Sequence, residues 1–304
     1  MKKGHFKKLL SSIFAAALLV CVLLVPGFAK TDAEKELEAA TAQVATLEQK
    51  VADCQAAFTE AQAQNRRGSY GFFQWAGSKS ATEALDNAKY KNLIAYGTAG
   101  DATSLDNLNA ALDLIDKVNE YRKADGLTEL VVTDTMMAMA EADADAYYDL
   151  NTAPKQFTVN GNKIAENLGT FSNAARAADS WYAEKKVADE HPDYMSYSSE
   201  NWSKVGHYFN LSQKKYTVTG AAVNTRLGNK FCQVYFSNAN GEKTYTTKEY
   251  RERIAKYRVF YDDRKEDLQE AQAALQEARV RQATAQRIVD AEKQGAASTT
   301  TTQA

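Results

Sequence analysis

Proline, cysteine and histidine are scarce: the 304-residue chain holds three of each. With so few histidines and cysteines, no CxxC pair and no Cys/His cluster, there is no structural zinc motif. Only Cys54 and Cys232 lie outside the N-terminal apolar run, and two cysteines make no disulfide framework. They read as small apolar side chains that stay buried, with a single bridge as the alternative. An excess of one charge is lacking as well. A net charge of -2 and a pI near 6.0 give no basic field for nucleic acid. The GxSxG elbow, the HExxH helix and a Cys/His protease signature are missing. After residue 25 no apolar run is long enough to span a bilayer, so the mature chain is expected to be soluble.

What is present begins with a basic start, Lys2, Lys3, Lys7 and Lys8, ahead of an apolar run from Leu9 to Val25 that only Ser11 and Ser12 interrupt. Pro26-Gly27 break that run and Ala29 is a small residue at a cleavage point. This is the layout of a secretory signal peptide over 1–29, with an uncleaved membrane anchor as the alternative. Cys21 lies inside the run, which argues against a lipid-anchored lipoprotein. The expected location is secreted, extracellular or associated with the cell wall.

Two long heptad patterns follow at the ends. Leu37, Ala40, Val44, Leu47, Val51, Cys54, Phe58 and Ala61 step by three and four, which predicts a coiled-coil helix over 30–67. Tyr250, Ile254, Tyr257, Tyr261, Arg264, Leu268, Ala271, Leu275, Ala278, Gln282, Ala285 and Val289 do the same over 246–293, with Arg264 and Gln282 as polar interruptions. A helix of about 40 residues is about 60 Å long and cannot bury such a stripe alone. The two helices either pair antiparallel within one chain or join a second chain in a dimer. The run after Lys293 reads as a short disordered tail, 294–304.

Between the first helix and the centre, 68–104 combines an aromatic and glycine-rich loop, a short helix from Ser80 to Tyr96 and a linker. Phe72, Phe73 and Trp75 of the loop either tuck against the core or form a surface anchor for a wall polymer or membrane. The central region, 105–245, opens with Ser104 as an N-cap and the stripe Leu105, Leu108, Leu112, Ile115, Val118, ended by Gly126. Thr133 caps a second helix with Met136, Met139 and Ala140 inward. Ser172 opens a third with Ala175, Ala178, Trp181 and Tyr182. The period then changes to two from Lys215 to Arg226 and from Asn229 to Ser237, an antiparallel hairpin about Leu227-Gly228-Asn229. Helices first and strands last indicate an α+β domain.

Four segments in this region carry a family resemblance. Leu112-Asp-Leu-Ile-Asp-Lys-Val-Asn-Glu-Tyr-Arg-Lys-Ala-Asp-Gly-Leu127 resembles the opening helix of the CAP superfamily, which includes cysteine-rich secretory, venom-antigen and pathogenesis-related proteins. Ala165-Glu-Asn-Leu-Gly169 is similar to its Gly-Glu-Asn-Leu motif, and Asp179-Ser-Trp-Tyr-Ala-Glu184 to its Trp-x-x-Glu helix. Val205-Gly-His-Tyr208 resembles its Gly-His-Tyr motif, followed by a similar strand at Tyr216–Val223. The resemblance covers Leu105 to Ser237 and implies an α-β-α sandwich, here flanked by the two long helices, in a bacterial secreted protein.

It also implies a cleft where two histidines and two glutamates bind divalent metal. Glu166, Glu184 and His207 match, while the stretch Thr152–Phe157 lacks the second histidine. Three ligands with two carboxylates would suit Zn, Mg or Ca together with water, and His191 is a further candidate in the loop between Glu184 and His207. The other reading of these residues is structural: a glutamate paired with a histidine, and Glu166 holding its loop through backbone amides. Trp181 reads as core packing. Three functions are open: a non-catalytic extracellular binding module for lipid, sterol, wall polymer or host protein; a metal-assisted hydrolase or protease with a glutamate as general base and His207 as its partner; or a cell-surface assembly protein acting through its coiled helices.

Overall fold

The computed structural model describes residues 30–226 and 228–301. The expected signal peptide, Leu227 of the hairpin turn and residues 302–304 lie outside the described residues.

Elements run in the order α1 (Asp32–Arg66), α2 (Ser69–Trp75), α3 (Lys79–Asp86), α4 (Leu105–Ala124), β1 (Val131–Val132), α5 (Asp134–Leu150), β2 (Thr158–Val159) and β3 (Asn162–Lys163). They continue with β4 (Ala165–Thr170), α6 (Ala174–Ala183), α7 (Lys185–Glu190), α8 (Gly206–Ser212), β5 (Val218–Asn224), β6 (Lys230–Phe236) and α9 (Thr247–Thr301). The chain divides into two compact units, one of residues 45–277 and one made of the two helix ends, 30–44 and 278–301.

The larger unit is an α+β sandwich. Its sheet has the order β1-β5-β6-β4, with β1 parallel to β5 and the other pairs antiparallel. The expected hairpin is β5–β6, in register from Val218 opposite Phe236 to Asn224 opposite Lys230. Every residue of β5 is buried because both sheet faces are covered. Alternate residues serve the two layers. Val218, Ala222, Cys232 and Val234 pack with Met136, Met139 and Ala140 of α5. Ala221, Val223, Phe231 and Tyr235 pack with the layer of α4, α6 and α8, which holds Leu112, Ile115, Ala178 and Trp181.

The helix starts follow the sequence at two of three places. Ser104 accepts the Asn107 amide at 3.2 Å and Thr133 accepts the Met136 amide at 3.2 Å. The third cap is Asn173, which accepts the Arg176 amide at 2.9 Å, so α6 starts one residue later than Ser172 implies. Ala175 accordingly faces out and Ala177 faces in.

The aromatic segment expected as a loop is a helix, α2. Phe72 and Phe73 are fully buried. Phe72 meets the Tyr250 and Tyr257 rings edge-on at 5.7 and 5.8 Å, and Trp75 reaches Tyr257 and Phe260. Docking two phenylalanines outweighs the helix cost of one internal glycine, about 1 kcal/mol. The aromatics thus tuck into the core. The following helix is shorter than Ser80–Tyr96: α3 stops at Asp86, and a single 3-10 turn covers Lys91–Leu93.

In the larger unit α1 and α9 lie side by side within the one chain: Phe58 packs on Tyr261 at 5.9 Å, and Ala61, Leu268, Ala271 and Leu275 are buried. In the smaller unit their ends are antiparallel, with Arg281 donating to Glu36 at 2.6 Å, Gln282 to Thr41 at 3.1 Å and Thr31 to Glu292 at 3.0 Å. Ala40, Val44, Ala278, Ala285 and Val289 are its buried positions. Helix α9 runs on to Thr301, through much of the stretch expected as a disordered tail.

Candidate functional site

Glu184 sits at the junction of α6 and α7, and His207 in the first turn of α8. Glu184 Oε2 accepts the backbone amides of His207 at 2.9 Å and Tyr208 at 3.0 Å. Its Oε1 accepts His207 Nδ1 at 2.6 Å. One carboxylate therefore holds the start of α8 and fixes the imidazole, leaving Nε2 as the ring's remaining polar atom. The His207 side chain is 38% exposed and Glu184 20%. Trp181 is buried and stacks on His207 at 5.9 Å with 15° between planes, so it is core packing and backing for the imidazole at once.

Neighbouring tyrosines extend this face. Tyr121 stacks on Tyr182 at 4.0 Å, and Tyr182 meets Tyr208 edge-on at 5.8 Å. Tyr182 and Tyr208 donate to the two oxygens of Asp125 at 2.9 and 3.1 Å. Burial, with Asp125 beside it, pushes the Tyr208 phenol up to about 12. On the other side of α8, Tyr197, 58% exposed, lies over Trp202 at 5.4 Å and Phe209 at 4.7 Å.

Glu166 does not join Glu184 and His207. The pleat of β4 sends adjacent side chains to opposite faces. Asn167 turns toward α8, donating to the His207 carbonyl at 3.0 Å and to Tyr235 Oη at 3.1 Å and accepting from Asn210 at 2.9 Å. Glu166 turns toward α5, where it lies beside Asp143. Both Glu166 oxygens and Asp143 Oδ2 are buried, with no well-formed hydrogen bond to another group among the described residues, and the two carboxyls and the Lys155 amide are their polar neighbours. Burial raises both carboxyls above the ordinary range, and the charge of Glu166 raises Asp143 further. The tie from β4 to α8 is made by Asn167, while the backbone amide and the charge of Lys155 act on Glu166 and oppose the rise of its carboxyl. His191 stacks on Tyr194 at 4.6 Å and bonds to neither Glu184 nor His207.

These residues do not fit the divalent ion that the resemblance implies. Glu184 is engaged by three N–H groups, Glu166 faces the opposite layer, and among the described residues no three His, Cys, Asp or Glu side chains are grouped to hold a metal. Cys54 and Cys232 are both free, and burial holds the Cys232 thiol well above its ordinary value, which makes it a poor nucleophile.

Sequence reasoning missed the buried acids of α5. Asp134, Glu141, Asp143 and Asp145 are all inside. Their partners are remote in sequence: Ser69 donates to Glu141, Gln156 to Asp143 and Asn224 to Asp145. Asp134 takes Arg253 at 2.7 and 2.9 Å and the Tyr250 hydroxyl at 2.8 Å.

The order opening helix, Glu-Asn strand, Trp-x-x-Glu helix, His-Tyr helix and closing hairpin is one arrangement, and residues 115–237 match the CAP family model, the cysteine-rich secretory protein family. The central domain is a CAP domain. No curated protein matches the chain. Within this CAP domain the Glu-Asn and His-Tyr motifs meet through Asn167, Asn210 and the His207 carbonyl, and the Trp-x-x-Glu motif joins them through Glu184. Among the described residues no helix is long and apolar enough to cross a membrane.

Proposed function

We propose that this CAP domain is a non-catalytic binding module that works outside the cell that makes it. The observation that carries the reading is the engagement of Glu184. A general base needs a free lone pair aimed at substrate, and Glu184 spends its carboxylate on two backbone amides and an imidazole. With Glu166 on the other layer, the motif residues assemble a scaffold. What that scaffold presents is the partly exposed His207 ring on one side of α8 and the Tyr197, Trp202 and Phe209 aromatics on the other. A half-exposed aromatic ledge on a helix that also carries a polar ring suits a ligand with an apolar body and a polar head, such as a lipid or sterol. The basic start and apolar run of residues 1–25 support secretion.

The test is co-sedimentation of the mature chain with phosphatidylcholine vesicles, with and without cholesterol, beside a peptide-library cleavage assay. Binding that falls in Tyr197→Ala and His207→Ala, without cleavage, is expected. Cleavage lost in Glu184→Ala would establish an enzyme instead.

A further inference from the structure

A sizeable cavity lies away from the His207 face, in the larger unit, where the CAP domain meets segments that the family model does not cover. It encloses about 600 Å³. One wall is the linker at Gly97, Ala99 and Gly100, the floor is the start of α4 with Asn107 and Thr225, and the opposite wall is α9 with Arg258, Tyr261 and Asp262.

The linker wall is built, not loosely draped. Buried Asp101 accepts the amides of Ala95 at 2.8 Å and Thr103 at 3.0 Å, and Thr103 accepts the Gly97 amide at 2.9 Å and, on its carbonyl, the Ser69 amide at 2.7 Å. Thr225 donates its amide to the Gly100 carbonyl at 2.7 Å. Gly97 and Gly68 pass so close, both with positive φ, that a side chain on either would strike the other's backbone. Asn107, buried, donates to the Asp101 carbonyl at 2.9 Å and to Thr225 at 3.3 Å and so ties floor to wall.

The lining defines the ligand chemistry. Only Leu105 and Ala99 are aliphatic, so an acyl chain finds no apolar bed. Arg258 is neutralised by Asp106 at 2.7 Å, and Asp262 adds a negative charge, so an anion is repelled. Among the described residues the side chains of Asn65, Tyr261 and Asp262 have no hydrogen bond. An amide, a phenol and a carboxylate around a rigid polar floor pair with hydroxyls, and a ring at the edge packs on a sugar's C–H face. We propose that this cavity is a binding site for a neutral saccharide of two or three units, formed jointly by the CAP domain, the 97–103 linker and α9.

The test uses the whole mature chain, titrated to about 10 mM with maltotriose, cellotriose and chitotriose and followed by amide chemical shifts, so that binding with a Kd of about 1 mM comes near saturation. At least one sugar is expected to shift resonances of residues 97–107 and 258–262. Asp262→Ala, an exposed change, should weaken it about tenfold through the lost charged hydrogen bond. Asn65→Ala is the second variant should Asp262→Ala melt early, and His207→Ala should leave binding unchanged. Silence with all three sugars, binding indifferent to both variants, binding abolished by His207→Ala, or a response to tripeptides in place of sugars overturns the proposal.

Discussion

Replacing Glu184 by alanine separates a scaffold from a catalyst. The carboxylate accepts two amides at the start of α8 and the His207 ring. Removing it leaves two half-buried N–H groups without an acceptor. An unsatisfied buried donor costs about 1–3 kcal/mol, and partial access for water reduces this, so the loss is about 2–3 kcal/mol in all. For a folding unit of this size 1 kcal/mol moves the midpoint by about 2–4 °C, which gives a fall of roughly 5–10 °C. Glu184→Gln keeps one acceptor oxygen and should lose about half as much. His207→Ala keeps both amide bonds and exposes no buried donor, so it should cost below about 1 kcal/mol. Melting followed by near-ultraviolet circular dichroism reads the order. A Glu184→Ala protein that melts within about 1 °C of wild type would refute the scaffold argument, as would a larger loss in His207→Ala than in Glu184→Ala.

Burial raises the Glu141, Asp143 and Asp145 carboxyls in the folded chain above their unfolded values near 4, so the native state binds more protons than the unfolded state. Their contribution is full below about pH 4 and is lost as pH rises through the folded values; the midpoint should therefore rise from pH 8 to pH 5, and Asp143→Asn should flatten that slope. Arg253→Ala leaves Asp134 buried and unpaired and should cost about 3 kcal/mol in urea unfolding, whereas Arg253→Met with Asp134→Asn should cost less than the single change. A thiol reagent should label Cys54 in the native protein and reach Cys232 only after denaturation. Gly220→Ala would drive a methyl into the Met136 carbonyl where α5 crosses β5, and the variant should fail to express as a folded chain, read by its loss from the soluble fraction.

Local chemistry made much of this structure readable in advance. Ser104 and Thr133 cap their helices because a hydroxyl three residues ahead of a free amide is a local arrangement. The β5–β6 hairpin follows from period-two apolar positions around a glycine turn. The failures come where partners lie far apart in sequence. Gly68 and Gly77 made 68–77 look like a loop, and only Tyr250 and Tyr257, more than 170 residues on, make α2 worth forming. The alternation of alanine with acid in α5 reads as a solvated face until Ser69, Gln156 and Asn224 arrive to hydrogen-bond it. Glu166 is different, since its signal was present. In a strand, Glu166 and Asn167 must point to opposite faces. Once Asn167 is placed beside α8, Glu166 cannot share a cleft with Glu184 and His207.

The family match ends at residue 237, but the packing does not. Tyr250, Ile254 and Tyr257 of α9 are 0–2% exposed. Thr247 bonds Asp116, Arg251 reaches Asp113 and Asp116 at 2.6 and 2.8 Å, and Arg253 closes on Asp134 in the first turn of α5. Three aromatic or branched side chains at full burial are worth roughly 2 kcal/mol each, comparable in sum to the whole net stability of a small domain. Without α9, Phe72 would lose two of its ring partners and the Asp134 carboxylate its cation. The change of pattern at 245–246, from alternation to heptads, thus marks where the secondary structure changes and not where the folding unit stops. The first three turns of α9 are core helix, and only further along does the same stripe turn into a narrow seam of alanine and leucine against α1. A single heptad register therefore does two jobs, and its aromatic start and alanine-rich continuation mark the change from one to the other.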